Sequence, residues 1–424
     1  MVTALTGAHV VVGDGTSFDD ATVVLDDGRI VSVEPGRAAA GATVVIDLGG
    51  RTVVPGFIDL HTHMVGGDNA IGHGDEATTF KMGDPLAKAV IDSVEAAQVT
   101  LSAGVTTARE IGSRDFIDVY LRAAQSRGQI EAPRILATGP GIAMTGGHGE
   151  FWQPEATADG VDAIVRRVRE LVHNKVDVIK VVSADGPETL AQWTTVQSTP
   201  EELAAAFGEA RRLGRRTATH AMGGEAIANA VGGGVDTIEH GWYLTEEACR
   251  VMIDAGTYLV PTLGNVVDII HKGPGLEMPW AQMMAEDEPA IFERMSMALE
   301  LGVKIAMGSD CGGNEARQHG SNIDELVAYV RFGMSAMDAI TSGTLAAAQA
   351  VWLDEQLGSL HAGKAADLVI VDGDPLDNIE LLISGVVGVV QGGRAVRDDL
   401  GVLGELAAAP DSPPRTTTAI TPGA

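Results

Sequence analysis

The sequence predicts an α/β protein: a (β/α)8 TIM barrel carrying a small β-sandwich domain built from both chain ends. Three observations point there. The middle of the chain alternates short apolar runs with longer amphipathic stretches, eight times over, which is the strand–helix rhythm of a parallel sheet able to close. Both ends instead carry short β-branched runs parted by tight glycine turns. At 424 residues the chain exceeds the roughly 250 residues of a plain barrel.

Taken in order, residues 8–12, 21–25 and 30–33 are strand-like. They are broken by Gly13-Asp14-Gly15 and Asp26-Asp27-Gly28, and residues 43–47 add another run. Barrel strands are expected at 54–60, 105–109, 134–138, 176–182, 216–219, 237–239, 258–261 and 304–307. Helical patterns fill 85–103, 161–172, 200–213, 245–255 and 289–301. After Asp354 the β texture returns at 366–372 and 383–390, followed by a Gly392-Gly393 turn. The expected division is residues 1–55 and 355–406 for the β domain, 56–354 for the barrel, and a disordered tail at 407–424.

Hydrophobic content of 45% and 53 glycines suit a large, turn-rich globular protein. The 58 acidic against 29 basic residues give a formal charge of −29. That argues against nucleic acid or an anionic membrane as partner, and leaves a small molecule as the expected one. Cys249 and Cys311 do not make a disulfide framework. The first residues lack a basic secretory n-region, and no apolar run reaches membrane-spanning length, so a cytoplasmic setting is expected.

Chemistry concentrates at strand ends. His61 and His63 close the first barrel strand, and residues two apart in a strand point to the same side. Imidazole is the commonest metal ligand, though a His-Thr-His by itself is a weak signal. Lys180, His220, His240 and Asp310 then fall at the ends of the fourth, fifth, sixth and eighth strands, the face where barrels carry chemistry. A lone histidine is more often structural than a ligand; four with an aspartate at one face point to a metal site. Lys180 sits in an apolar run where burial disfavours an ammonium. It can be read as a salt bridge, a neutral catalytic lysine, or a carbamate formed with carbon dioxide. Arg109 can meet a substrate carboxylate or pair with an acid. Cys311 reads as a small residue in a tight loop rather than a ligand, and His73 as part of a loop over the site.

Val54-Pro55-Gly56-Phe57-Ile58-Asp59-Leu60-His61-Thr62-His63 resembles the first-strand signature of the amidohydrolase superfamily. Thr219-His220-Ala221, Ile238-Glu239-His240-Gly241 and Gly308-Ser309-Asp310 resemble its later metal strands, and residues 358–368 its return to the β domain. The loop Thr145-Gly146-Gly147-His148-Gly149 and the run His240-Gly241-Trp242-Tyr243-Leu244 resemble the prolidase-like branch, which cleaves dipeptides, N-acyl amino acids and the amide of ochratoxin.

The resemblance implies two divalent metal ions per chain. His61, His63 and Asp310 would hold one, His220 and His240 the other, with a carboxylated Lys180 bridging them. Zinc suits these nitrogen and oxygen donors, as do manganese and cobalt. Such a pair generates hydroxide at neutral pH and polarises the amide carbonyl. Asp310 is then expected to shuttle the proton to the leaving nitrogen. His148 and Tyr243 are the expected donors to the carbonyl oxygen, a role typically worth about 3 kcal/mol per donor. A carbamate, lactone or cyclic amide is an alternative substrate for the same centre. A mononuclear deaminase would leave Lys180 unexplained, and non-catalytic assembly proteins on this scaffold typically lack the ligands. Relatives commonly assemble, so a homo-oligomer is compatible with the resemblance.

Overall fold

The computed structural model describes residues 1–65, 85–150, 157–184, 193–276, 278 and 281–406. The expected tail at 407–424 and His73 lie outside the described residues. Five strands come from the first segment: β1 (Thr3–Val11), β2 (Ser17–Asp26), β3 (Arg29–Pro35), β4 (Val44–Asp47) and β5 (Thr52–Pro55). The middle supplies β6 (Phe57–Thr62), β7 (Val105–Glu110), β8 (Arg134–Leu136), β9 (Val178–Val182), β10 (Arg216–Gly223), β11 (Thr237–Tyr243), β12 (Tyr258–Val260) and β13 (Lys304–Ile305). The last stretch adds β14 (Leu368–Val371), β15 (Val386–Gln391) and β16 (Arg394–Asp398).

Strands from the two ends hydrogen-bond into one eight-stranded sheet, ordered β16-β15-β14-β5-β1-β2-β3, with β4 branching from β1. Asp27 and Gly28, both at positive φ, make the two-residue turn between β2 and β3, as such hairpins require. This sheet keeps its own apolar cluster, including Leu5, Val10, Val23, Ile370 and Val390.

The middle strands form two all-parallel sheets, β13-β12-β11-β10-β9 and β6-β7-β8. Backbone bonds also run between them at both edges. Leu60 and Asp310 amides donate to Met307 and His61 carbonyls at 2.9 and 2.8 Å, and Ile142 and Val182 amides to Lys180 and Ile142 carbonyls at 2.9 and 2.8 Å.

The run expected as one strand at 54–60 is two. β5 pairs with β14 in the end-built sheet, while β6 pairs with β7, and the chain crosses between sheets at Gly56. A Cβ at Gly56 would lie 2.3 Å from Thr106 Oγ1, so only glycine permits this close crossing.

Helices follow the strands. Thr199 caps the helix Pro200–Arg212 in a reciprocal capping box with Glu202, and Leu203, Ala206, Phe207 and Ala210 form its buried stripe. Losing such a cap costs about 1 kcal/mol. The helix expected to start at Pro289 instead spans Ala281–Leu301, with Pro289 inside and one backbone bond forgone. Helices Ile117–Ser126, Gly224–Gly233 and Leu263–Lys272 were not anticipated from the pattern. Among the described residues no helix is long and apolar enough to cross a membrane.

Candidate metal centre

The bonds that tie β6 to the chain after β13 also gather the ligands. The Asp310 amide donates to the His61 carbonyl and the His63 amide to the Cys311 carbonyl, each at 2.8 Å. Beneath them the buried Asp59 carboxylate accepts from the His61 amide at 3.1 Å, the Ser309 amide at 2.9 Å and the Ser309 hydroxyl at 2.6 Å. In consequence Asp310 Oδ1 lies 3.4 Å from His61 Nε2 and 3.3 Å from His63 Nε2. One donor atom from each of the three residues falls within 4.8 Å of the others.

The other predicted histidines converge on the same place. Ring centroids of His61 and His240 are 4.9 Å apart, those of His220 and His240 4.6 Å, and those of His148 and His220 4.4 Å. Lys180 is buried on β9, facing this group electrostatically. Burial lowers its pKa to about 8, with Glu239 and Asp310 working the other way. Its charge is felt in turn by His61, His240 and Asp310.

The protonation states of these groups favour metal binding. Burial holds His61 and His240 well below the ordinary imidazole value, so both are neutral, the form that coordinates. Burial alone would raise Asp310, yet the facing His61 and His63 outweigh it and keep the carboxyl below its usual range. Neutral imidazole nitrogens with an anionic oxygen fit a divalent cation.

Backbone strain accompanies these positions. His240, Thr262 and Asp310 all take left-handed φ, at 71°, 53° and 57°, each costing about 1–3 kcal/mol outside glycine. At His240 the kink interrupts strand alternation, so consecutive residues serve one interior: Glu239 reaches His61, and His240 packs on the same ring.

Several supporting residues escaped the sequence reading. Glu239 Oε2 accepts from His61 Nδ1 at 2.8 Å, while Oε1 accepts from Arg109 Nη2 at 2.7 Å and Thr237 Oγ1 at 2.5 Å. This leaves His61 Nε2 for a metal. Arg109 is fully buried on Glu239, pairing with an acid. Thr262 holds His240 Nδ1 at 2.7 Å, and Asn265 Nδ2 donates to Asp310 Oδ2 at 2.5 Å. An acid inside the apolar run of β11 was the available signal for Glu239; Thr262 and Asn265 had none.

His148 is buried against His220. Tyr243 differs from expectation: its hydroxyl donates to Asp287 Oδ2 at 2.7 Å, and burial together with Asp287 keeps it protonated. Cys311 is buried, and its thiol is pushed up to about 12 by desolvation, consistent with a small residue in a tight loop.

A parallel α/β body that gathers imidazoles and a carboxylate in one buried place has the donor set with which metal-dependent hydrolases hold a cation. The chain belongs to the amidohydrolase family, whose model matches residues 52–396, and it is a hydrolase of amide bonds on the prolidase-like side of that family. Ochratoxinase from Aspergillus niger is 26% identical over 432 aligned positions, covering 93% of this chain and 86% of that protein. The structure of a Xaa-Pro dipeptidase with methionine in its active site shares 30% identity at a TM-score of 0.83, covering 93% of this chain and 99% of the other. A prolidase complexed with N-methylphosphonate-L-proline shares 29% identity at a TM-score of 0.84, covering 94% of this chain and 100% of that one.

Proposed function

We propose that the chain is a binuclear metal-dependent amidohydrolase that cleaves the amide of a dipeptide or an N-acyl amino acid, ochratoxin-like amides included. The observation that carries this is the convergence of His61, His63 and Asp310 within 4.8 Å, with the rings of His220 and His240 alongside. Similarity to a Xaa-Pro dipeptidase and an ochratoxinase supports the substrate class.

In this reading His61, His63 and Asp310 would hold one ion and His220 and His240 the second, with Lys180, as its carbamate, the residue that would be shared by both. Burial favours the neutral amine that takes up carbon dioxide. Bound there, the two cations, zinc on donor chemistry, supply Lewis acidity and an acidified water. The chain's own groups do the rest. Asp310 accepts a proton on its carboxylate and returns it to the leaving nitrogen, which departs poorly as an anion. His148, packed on His220, donates to the carbonyl oxygen. Tyr243 can join it only by releasing Asp287.

We read the two parallel sheets as arcs of one (β/α)8 barrel over residues 56–354, supported by the bridges Thr62–Cys311 and Ile142–Val181. Residues 1–55 and 355–406 form the small β domain. A cytoplasmic setting is supported by two buried, unpaired cysteines.

The test is hydrolysis of a library of dipeptides and N-acyl amino acids by zinc-loaded protein. We expect cleavage of several members. No cleavage across the library, with carbamates, lactones or cyclic amides hydrolysed instead, overturns the substrate assignment.

A further inference from the structure

β12 brings no candidate ligand, yet the helix-starting turn that follows it, Pro261 and Thr262 leading into the first residues of the helix Leu263–Lys272, touches two of them. Thr262 Oγ1 donates its single hydrogen to the Pro261 carbonyl at 2.7 Å and lies 2.7 Å from His240 Nδ1. With that hydrogen spent, the hydroxyl can only accept from the imidazole. His240 therefore carries its hydrogen on Nδ1 and presents the Nε2 lone pair to the site. Three residues on, Asn265 Nδ2 donates to Asp310 Oδ2 at 2.5 Å. Its own oxygen accepts from Asn314 Nδ2 at 2.6 Å, which fixes the amide the right way round. Asp310 Oδ1 is thereby turned toward His61 and His63.

The turn is built to stay still. The Leu263 and Gly264 amides donate to the two oxygens of buried Glu325, at 2.8 and 2.6 Å. Trp242 Nε1 donates to the Pro261 carbonyl at 2.7 Å. Gly264 sits against the buried Arg317, where a Cβ would lie 2.3 Å from Nη2. A β-branched residue in left-handed conformation is held only by surroundings that over-determine it.

We propose that Thr262 and Asn265 are positioning residues: one rigid turn sets the tautomer of His240 and the orientation of the Asp310 carboxylate together. This rests on the reading of His240 and Asp310 as metal ligands. It makes the end of β12 the mechanical link between the two ion positions, with no ligand of its own.

The experiment is zinc release to a chromophoric chelator by the zinc-loaded full chain, with thermal melting of each metal-free variant as the fold control. Thr262→Val keeps the shape and loses the hydroxyl; Thr262→Ser keeps the hydroxyl; Asn265→Leu loses the amide. Outer-shell partners of this kind are typically worth 10–100-fold in metal affinity. We expect about 10-fold or faster zinc loss in Thr262→Val and Asn265→Leu, with Thr262→Ser close to wild type and all metal-free melting curves similar. Should either disruptive variant fail to fold, Thr262→Ala and Asn265→Ala replace it. Equal retention in Thr262→Val and Thr262→Ser overturns the role of Thr262, and wild-type retention in Asn265→Leu overturns that of Asn265. Wild-type protein that takes up no zinc overturns the metal reading itself, a result separate from any difference among the variants.

Discussion

Replacing Glu239 by Gln removes one negative charge from a network that water does not reach. Its carboxylate accepts three donors, from His61 at 2.8 Å, Arg109 at 2.7 Å and Thr237 at 2.5 Å, and both Glu239 and Arg109 are fully buried. A glutamine keeps the shape but offers one oxygen and one NH2. Whichever way it turns, its NH2 faces either the Arg109 guanidinium or the His61 Nδ1 hydrogen. Arg109 also loses its counter-charge, and breaking a buried pair from one side typically costs about 3–5 kcal/mol. We therefore expect the metal-free Glu239→Gln protein to lose about 3–5 kcal/mol in urea denaturation, and zinc affinity to fall by roughly 10–100-fold as His61 loses its orientation. The double variant Arg109→Met/Glu239→Gln should recover part of the stability and none of the zinc affinity. A loss under about 1 kcal/mol, with unchanged zinc affinity, would refute the idea that Glu239 links the buried Arg109 to the orientation of His61.

Asp310→Asn should retain much of the metal and lose nearly all turnover; substantial turnover by that variant removes Asp310 from proton transfer. Lys180→Ala should lose bridged metal and regain some activity with added short carboxylates, whereas two ions per chain without such help contradict the carbamate. Burial raises Glu325 to about 7 from an ordinary 4.5, so its folded form holds a proton that the unfolded chain gives up earlier. That contribution is complete below about pH 4.5 and is lost as pH rises through 7. Glu325→Gln should accordingly gain stability relative to wild type between pH 5 and pH 8 in urea titrations, and a pH-independent difference refutes the shift.

The candidate ligands were legible because each ends or interrupts an apolar run and because together they fall at one face, where singly each would pass as structural. The HxH spacing, the buried Lys180 and the Gly308-Ser309-Asp310 terminus are local signals, each carried within a few residues. What holds the ligands was not legible. His61 meets Glu239 across 178 positions, and Arg109 meets it across 130; no pattern within a strand encodes such a pairing. The crossing at Gly56 was missed because residues 54–60 read as one largely apolar run despite the Pro55-Gly56 dipeptide, a turn signal whose weight the approach of Thr106 makes plain. Tyr243 was assigned to substrate from its motif, while its partner Asp287 lies 44 positions away on another element. Pro289 misled through a sound rule: proline favours a helix start but is tolerated inside a longer helix.

The central claim, a two-metal site bridged by a modified lysine, is tested most directly by a crystal structure of the zinc-loaded protein grown with bicarbonate, using anomalous scattering at the zinc edge. Two peaks per chain are expected, one among His61, His63 and Asp310 and one at His220 and His240, with carboxylate density on Lys180 between them. A single peak beside an unmodified Lys180, or none at these residues, would contradict it.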